Sequence, residues 1–424
     1  MGLIGPMPLR AHLADTRPLK NPYFRRLWTA NIATVIGAQL TIVAVPAQIY
    51  VITGSSAYVG LTGLFGLVPL VVFGLYGGAL ADAMDRRRLL TVTTWGLILT
   101  TAAFFAQAIA GNRNVWLLLS LFAVQQAFFA VNQPTRNAVL PKILDADLLP
   151  AANSLSMTLF GAGAIVGPLL GGVLIPVIGL SWLYLIDTIT LFATLWAVTS
   201  LPPLPVEGAV GRPGLQSVVD GFRYLSGHPV LRMSFVVDLI AMFFGMPRAL
   251  FPEVAHVSFG GPPGGGLAYA VLFAAMPVGV VLGGVVSGWV SRVRRQGLAV
   301  VVSIVVWGGA VTLLGVAVLL ADGPSAGLLA LAAVGLAIGG AADMASAAFR
   351  QSMLQASASD EVRGRLQGVF IVVVAGGPRL ADVAHGAAAP VFGAGWTIVG
   401  GGILTVVGVV LAAALAPAFV LYRT

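Results

Sequence analysis

Residues 57–88 read AYVGLTGLFGLVPLVVFGLYGGALADAMDRRR, and this stretch decides the fold class. No charged side chain interrupts it from Ala57 to Ala81. A helix rising about 1.5 Å per residue crosses the hydrocarbon core in about 20 such residues. The run closes on Asp82, Asp85 and the basic trio Arg86-Arg87-Arg88, the pattern of a span held at one interface. Comparable apolar runs lie at about 27–51, 89–110, 115–135, 150–178, 181–200, 231–256, 265–291, 297–320, 326–349, 366–392 and 396–421. They are continuous and do not alternate every second residue, as barrel strands would. The expected class is therefore an all-α integral membrane protein with 12 transmembrane helices.

Composition agrees. The 424 residues are 58% hydrophobic and 9% charged, where a soluble domain carries about 25% charged residues. Mean hydropathy is +0.96, and the 53 Gly suit close helix packing in lipid. Cys is absent, which excludes disulfides, thiolate catalysis and zinc–sulfur sites. The lysines, Lys20 and Lys142, do not follow a Gly, so no phosphate-cradling Walker loop exists and no cofactor or metal is expected. The net charge of +8 sits in short loops between spans, which points away from nucleic acid. Residues 1–24 are polar and Pro-rich, so no cleaved signal is expected.

Assigning alternate loops and both termini to one side places 20 of the 23 Lys and Arg there. The opposite loops hold Arg113, while Arg248 and Arg379 fall inside runs. The positive-inside rule puts both termini in the cytoplasm of a multi-pass plasma-membrane protein, among membrane lipids.

The chain also repeats. Asn21-Pro22 matches His228-Pro229 at an offset of 207, which lays Asn31 on Asp238. Gly77-Gly78 matches Gly283-Gly284, and Thr135-Arg136-Asn137 matches Phe349-Arg350-Gln351. This predicts an N-terminal six-helix half (1–200), a cytoplasmic linker (201–230) and a C-terminal six-helix half (231–424), related by an axis along the membrane normal.

Two motifs carry a resemblance. Gly78, Asp82, Arg86 and Arg87 have the spacing of the loop signature of the major facilitator superfamily, with Ala83 and Asp85 in place of its usual basic residue and Gly. Asp82 could accept from N–H groups at a neighbouring helix end or pair with Arg86, latching the cytoplasmic side. The plainer reading is a solvated loop that sets topology. Gly163, Gly167, Pro168, Gly171 and Gly172 resemble the superfamily's antiporter motif, associated with exporters; helix 8 is the expected packing partner. With Asn132-Gln133-Pro134-Thr135-Arg136 and Gly364-Arg365-Leu366-Gln367-Gly368, the chain resembles the enterobactin (siderophore) exporter and drug-efflux branch. The resemblance implies a major-facilitator fold of two pseudo-symmetric six-helix bundles, a monomer, and export of a small organic molecule by alternating access with proton antiport. It also implies a cavity lined by helices 1, 4, 7 and 10, making Asn31, Gln39, Gln125, Gln126, Asp238 and Asp343 substrate-cavity candidates.

Ionisable groups inside a membrane are costly and usually functional. Arg379, Asp382 and His385 follow one another at i, i+3 and i+6, so Arg379 and Asp382 could pair. A proton-coupled exporter needs an acid that holds a proton when shielded from water and releases it when a cation approaches. Asp382 or Asp238 is the candidate acid, Arg379 the competing cation and His385 a possible relay. Asp343 reads as structural, with Arg350 as its partner. The fourth run, ending at 135, lacks the Arg that proton-coupled drug exporters of the superfamily carry. Alternatives are a proton-coupled nutrient importer, which the exporter motif disfavours, and a non-transporting scaffold. An enzyme is not expected: the histidines are His12, His228, His256 and His385, with no intramembrane protease arrangement around them.

Overall fold

A computed structural model describes the backbone of residues 15–205, 223–357 and 360–423. It describes their side chains except at 75, 78, 79, 81–83, 357, 360–372 and 374. Twelve long helices run through the described residues. They are α1 (Pro22–Thr53), α2 (Ser56–Ala83), α3 (Arg86–Ile109), α4 (Val115–Ile143), α5 (Leu149–Ile178), α6 (Leu180–Thr199), α7 (Pro229–Phe244), α8 (Leu267–Val285), α9 (Gln296–Leu320), α10 (Ala326–Ser357), α11 (Asp360–Phe392) and α12 (Ala394–Leu415). Eleven spans among the described residues are long and apolar enough to cross a membrane, and α11 falls partly outside the side chains that are described.

Local chemistry sets the helix ends. Asn21 caps α1 by accepting from the N–H groups of Tyr23 and Phe24, and Pro22 occupies the first turn, where a missing N–H is harmless. Pro229 does the same for α7, the repeat-related helix. Gly54, in the left-handed region at φ 64°, ends α1. Helix α7 breaks at Gly245-Met246-Pro247 and resumes through short turns over Arg248–Leu250, Phe251–Glu253 and Val254–Ser258. Gly245 is needed there, because a Cβ would collide with the Trp307 indole of α9.

Helix contacts reveal the symmetry. In the first six helices α1 packs on α5 and α6, α4 on α2 and α3, and α3 on α6. In the last six α7 packs on α11 and α12, α10 on α8 and α9, and α9 on α12. Every contact in the first set recurs six helices later. The two bundles meet through α2 against α11 and α5 against α8, which the same operation exchanges.

The two ends of the molecule differ. At the end away from the termini, one apolar core crosses both bundles, including Val43, Ile49, Val59 and Tyr184 of the first and Leu250, Tyr269, Leu314 and Ala381 of the second. At the termini end the cores are separate. Leu27, Leu90, Val139 and Ala197 cluster in the first bundle, and Val237, Val300, Phe349 and Val409 in the second. Among the described residues, the bundles are therefore joined at the far end and independent at the termini end.

Candidate functional site

The far-end junction is built on glycines. Gly60 and Gly63 of α2 lie against the backbone of α11 at Asp382, Gly386 and Arg379. Gly172 of α5 lies against Ala270 of α8, and the Gly266 N–H donates to the Gly172 carbonyl at 2.7 Å. Tyr269 donates across the junction to the Val43 carbonyl at 2.8 Å. Ser56 of α2 donates to the carboxylate of Glu253, closing the outermost layer.

Immediately inside this junction lie the buried charges. Asp382 is ten residues before the end of α11, about 15 Å in by helical rise. It is half-buried, with its carboxylate beside the Ala249 backbone N–H. Arg379 does not pair with it. Its guanidinium runs along Gly66 of α2, donates to Gln126 Oε1 of α4 at 3.1 Å, and stacks over the Phe122 ring at 5.4 Å. The expected Arg379–Asp382 pair is thus replaced by a bridge between bundles, because the glycine faces of α2 leave a channel that the long side chain fills. His385 is buried at 5% exposure. Its Nδ1 lies 2.9 Å from the Ala381 carbonyl and its Nε2 3.1 Å from the Phe244 carbonyl, at the break of α7.

Asp238 and Arg350 form a closed ion pair at 2.7 Å between α7 and α10, both buried. Arg350 is therefore partnered by Asp238, not by Asp343 as the sequence suggested. Asp343 remains half-buried on α10, with no ion-pair partner within 4 Å among the described residues. Asn31, the repeat partner of Asp238, is buried on α1, and Gln125 is buried on α4. Helix α4 continues to Ile143, past Pro134 and Pro141, so Arg136 lies inside it. The expectation of an Arg-free fourth helix is corrected: the apolar run ends at 135, but the helix does not.

The exporter-like motif faces mainly α1, not helix 8. Gly163 and Gly167 abut Val35 and Gln39, Gly171 contacts Leu40 and Val43, and Gly172 alone reaches α8. Spacing of four residues explains this, since it keeps Gly163, Gly167 and Gly171 on one helical face. Pro168 is buried between them. In the basic loop, the side chains at 78 and 82 lie outside the described residues, so the latch role of Gly78 and Asp82 stays a sequence expectation. The neighbouring residues have definite work. Asp85 caps α3 by accepting from the Arg88 N–H at 2.9 Å, and its other oxygen accepts from the Leu204 N–H at 2.7 Å. Arg87 donates to the Thr199 carbonyl at 2.7 Å. The loop thereby binds the exit of α6.

Arg248 was not among the site residues expected from sequence. It stands on the short turn after the α7 break, which packs on α2 and α11. It is exposed although its neighbours Ala249 and Leu250 are buried. A cation at the centre of a spanning helix costs about 2.5–3.5 kcal/mol on insertion scales. The sequence signal was its presence inside a run.

This arrangement defines a twelve-helix transporter fold of two pseudo-symmetric bundles, and known structures share it. The fold aligns with a mutant of the nucleoside transporter NupG at TM-score 0.74 and 13% identity, covering 94% of this chain and 98% of that one. A bacterial homologue of the lysosomal transporter Spinster, in an inward-facing and unoccupied conformation, aligns at TM-score 0.67 and 16% identity, covering 96% and 97%. The family is more specific: residues 14–418 match the transmembrane secretion effector model, and the chain belongs to that family of the major facilitator superfamily. Its sequence relatives include the enterobactin exporter EntS of Citrobacter koseri, 26% identical over 354 residues, covering 82% of this chain and 81% of that protein. EntS of Escherichia coli O127:H6 is 25% identical over 359 residues, with the same coverage.

Proposed function

We propose that this protein is a secondary active exporter that moves a small organic molecule, a siderophore-like metabolite or a drug, out of the cytoplasm in exchange for protons. The observation that carries the reading is the one-sided junction: the bundles share a core at the far end and keep separate cores at the termini end. With both termini cytoplasmic in the plasma membrane, as the basic loops indicate, that is a state open to the cytoplasm. Rocking of half 1–200 against half 231–424 about the charged layer, with 201–230 as linker, would part α2 from α11 and open the other side. The family match and the EntS relatives support the direction of transport.

Asp382 is our coupling acid. It lies on the α2–α11 seam that must open, so one state shields it and the other wets it. Arg379 is the mobile cation, released from Gln126 when the bundles separate. Asp238, locked to Arg350 within one bundle, serves the architecture, and His385 ties the α7 break to α11. Gln39, Gln126 and Asp343, which keep some exposure, line the substrate path, while Asn31 and Gln125 are buried within the first bundle. The protein acts as a monomer without catalytic chemistry.

The test is substrate accumulation in inside-out vesicles under an acid-inside pH gradient, for wild type and Asp382→Asn. Accumulation abolished by a protonophore, and absent in Asp382→Asn, is expected. Equal accumulation by the variant would remove Asp382 from the mechanism.

A further inference from the structure

Two guanidinium groups converge on the layer where the bundles part, and one of them is unmatched. Arg379 is engaged by Gln126 and Phe122. Among the described residues, Arg248 has the Met276 thioether, 4.0 Å from Nη2, as its hydrogen-bond partner and no carboxylate within 4 Å. Asp343, Arg379 and Asp382 all lie within its electrostatic reach. Those charges belong to the interior of α10 and α11, and the turn bearing Arg248 packs on α2 and α11. Its exposure is therefore to the space between bundles and not to lipid. Beside it is an apolar crevice of about 10 Å³, room for about one water, walled by Met246, Phe251, Met276, Trp307 and Leu336.

Resting on the exporter reading above, we propose that Arg248 is the anion-recognising residue of the transport site, and that the transported molecule is an organic acid. A planar guanidinium with free N–H forks matches a carboxylate or phenolate, and in a site shielded from water such charge-assisted bonds are strong. The acids nearby do not take this role from the substrate. Asp382 has the Ala249 N–H beside it, and Asp343 is less open than Arg248. The Arg379–Gln126 bridge lies in the same layer and reaches across to the first bundle. A membrane potential negative inside also drives an anion outward, in the direction of export.

The test is binding to the purified full-length protein of 2-naphthoate, octanoate and salicylate, each compared with its neutral amide and with a matched primary amine. At least one acid is expected to bind about tenfold or more tightly than its amide. Arg248→Gln should erase that preference, and Arg248→Lys should keep part of it. If no acid outperforms its amide, or if Arg248→Gln keeps the preference, the assignment is overturned. Should Arg248→Gln fail to fold, the wild-type ratios and the Lys variant decide. Vesicle export reads the exporter proposal separately. Gradient-driven export of amines or amides without preference for acids would leave the exporter standing and overturn the anion site. Movement of no compound would sink the exporter reading, while the binding ratios still judge Arg248.

Discussion

Replacing Gly386 by Ala should shift the protein toward the state open at the far end. A Cβ at position 386 would lie 2.7 Å from Gly60 Cα and 2.7 Å from the Ser56 carbonyl oxygen. Both are backbone atoms of or beside α2, so no side chain can swing away. Carbon atoms normally approach to about 3.5–4.0 Å, so α2 would have to retreat by about 1 Å. Overpacking of this kind costs about 1–3 kcal/mol. The cost falls only on the state in which α2 touches α11 at this level. It therefore converts into a shift of about 5- to 150-fold toward the opposite state. The absence of native Cys makes the assay clean. Spin labels on Asn112→Cys and Asp322→Cys, exposed residues of far-end loops in different bundles, would report the separation. Longer distances are expected in Gly386→Ala than in the parent. Gly309→Ala, where a Cβ meets nothing within 4 Å, is the control and should leave distances alone. An unchanged distribution in a folded Gly386→Ala protein would refute the argument that the α2–α11 glycine seam holds the far end shut.

Other consequences follow from single contacts. Asp238→Asn or Arg350→Gln should each destabilise the protein by about 3–5 kcal/mol, because each strands a buried charge; thermal unfolding in detergent would show it, and an apolar pair replacing both residues should recover most of the loss. Gly167→Ala should lower thermal stability through its clash with Gln39 without altering label distances, whereas Gly172→Ala, at the junction with α8, should alter both. Ser56→Ala removes the donor to Glu253 and should loosen the far end by a few-fold in the same distance assay, an effect that salt does not mimic.

Much of the fold was legible because membrane spans are written in long apolar runs, and the repeat announced the symmetry before any contact was seen. Asn21-Pro22 and His228-Pro229 begin equivalent helices, and Asn31 and Asp238 hold equivalent places in them. Helix ends were less legible. Hydropathy stops α4 at residue 135, yet the helix continues through Arg136, Asn137 and Lys142 to Ile143. The charges inside the spans were legible as residues, but their partners were not. Spacing along one helix favoured Arg379 with Asp382, and sequence proximity favoured Asp343 with Arg350. Which partner a long side chain finds depends on what neighbouring helices leave open: Gly63 and Gly66 of α2 open the route to Gln126, and the approach of α7 to α10 delivers Asp238 to Arg350. Arg248 was visible as a charge in a span, but only the break at Pro247 shows that it stands on a short turn packed on α2 and α11.

The central claim is that substrate reaches the charged layer from the termini side in the state described here and from the far side in the other. Gln126→Cys, in a chain with no other thiol, tests it with a membrane-impermeant thiol reagent applied to either face of sealed vesicles. The account predicts fast labelling from the cytoplasmic face and slow labelling from the outside, with the order reversed when Gly386→Ala is added. Labelling from neither face, or faster labelling from the outside in the parent, would contradict it.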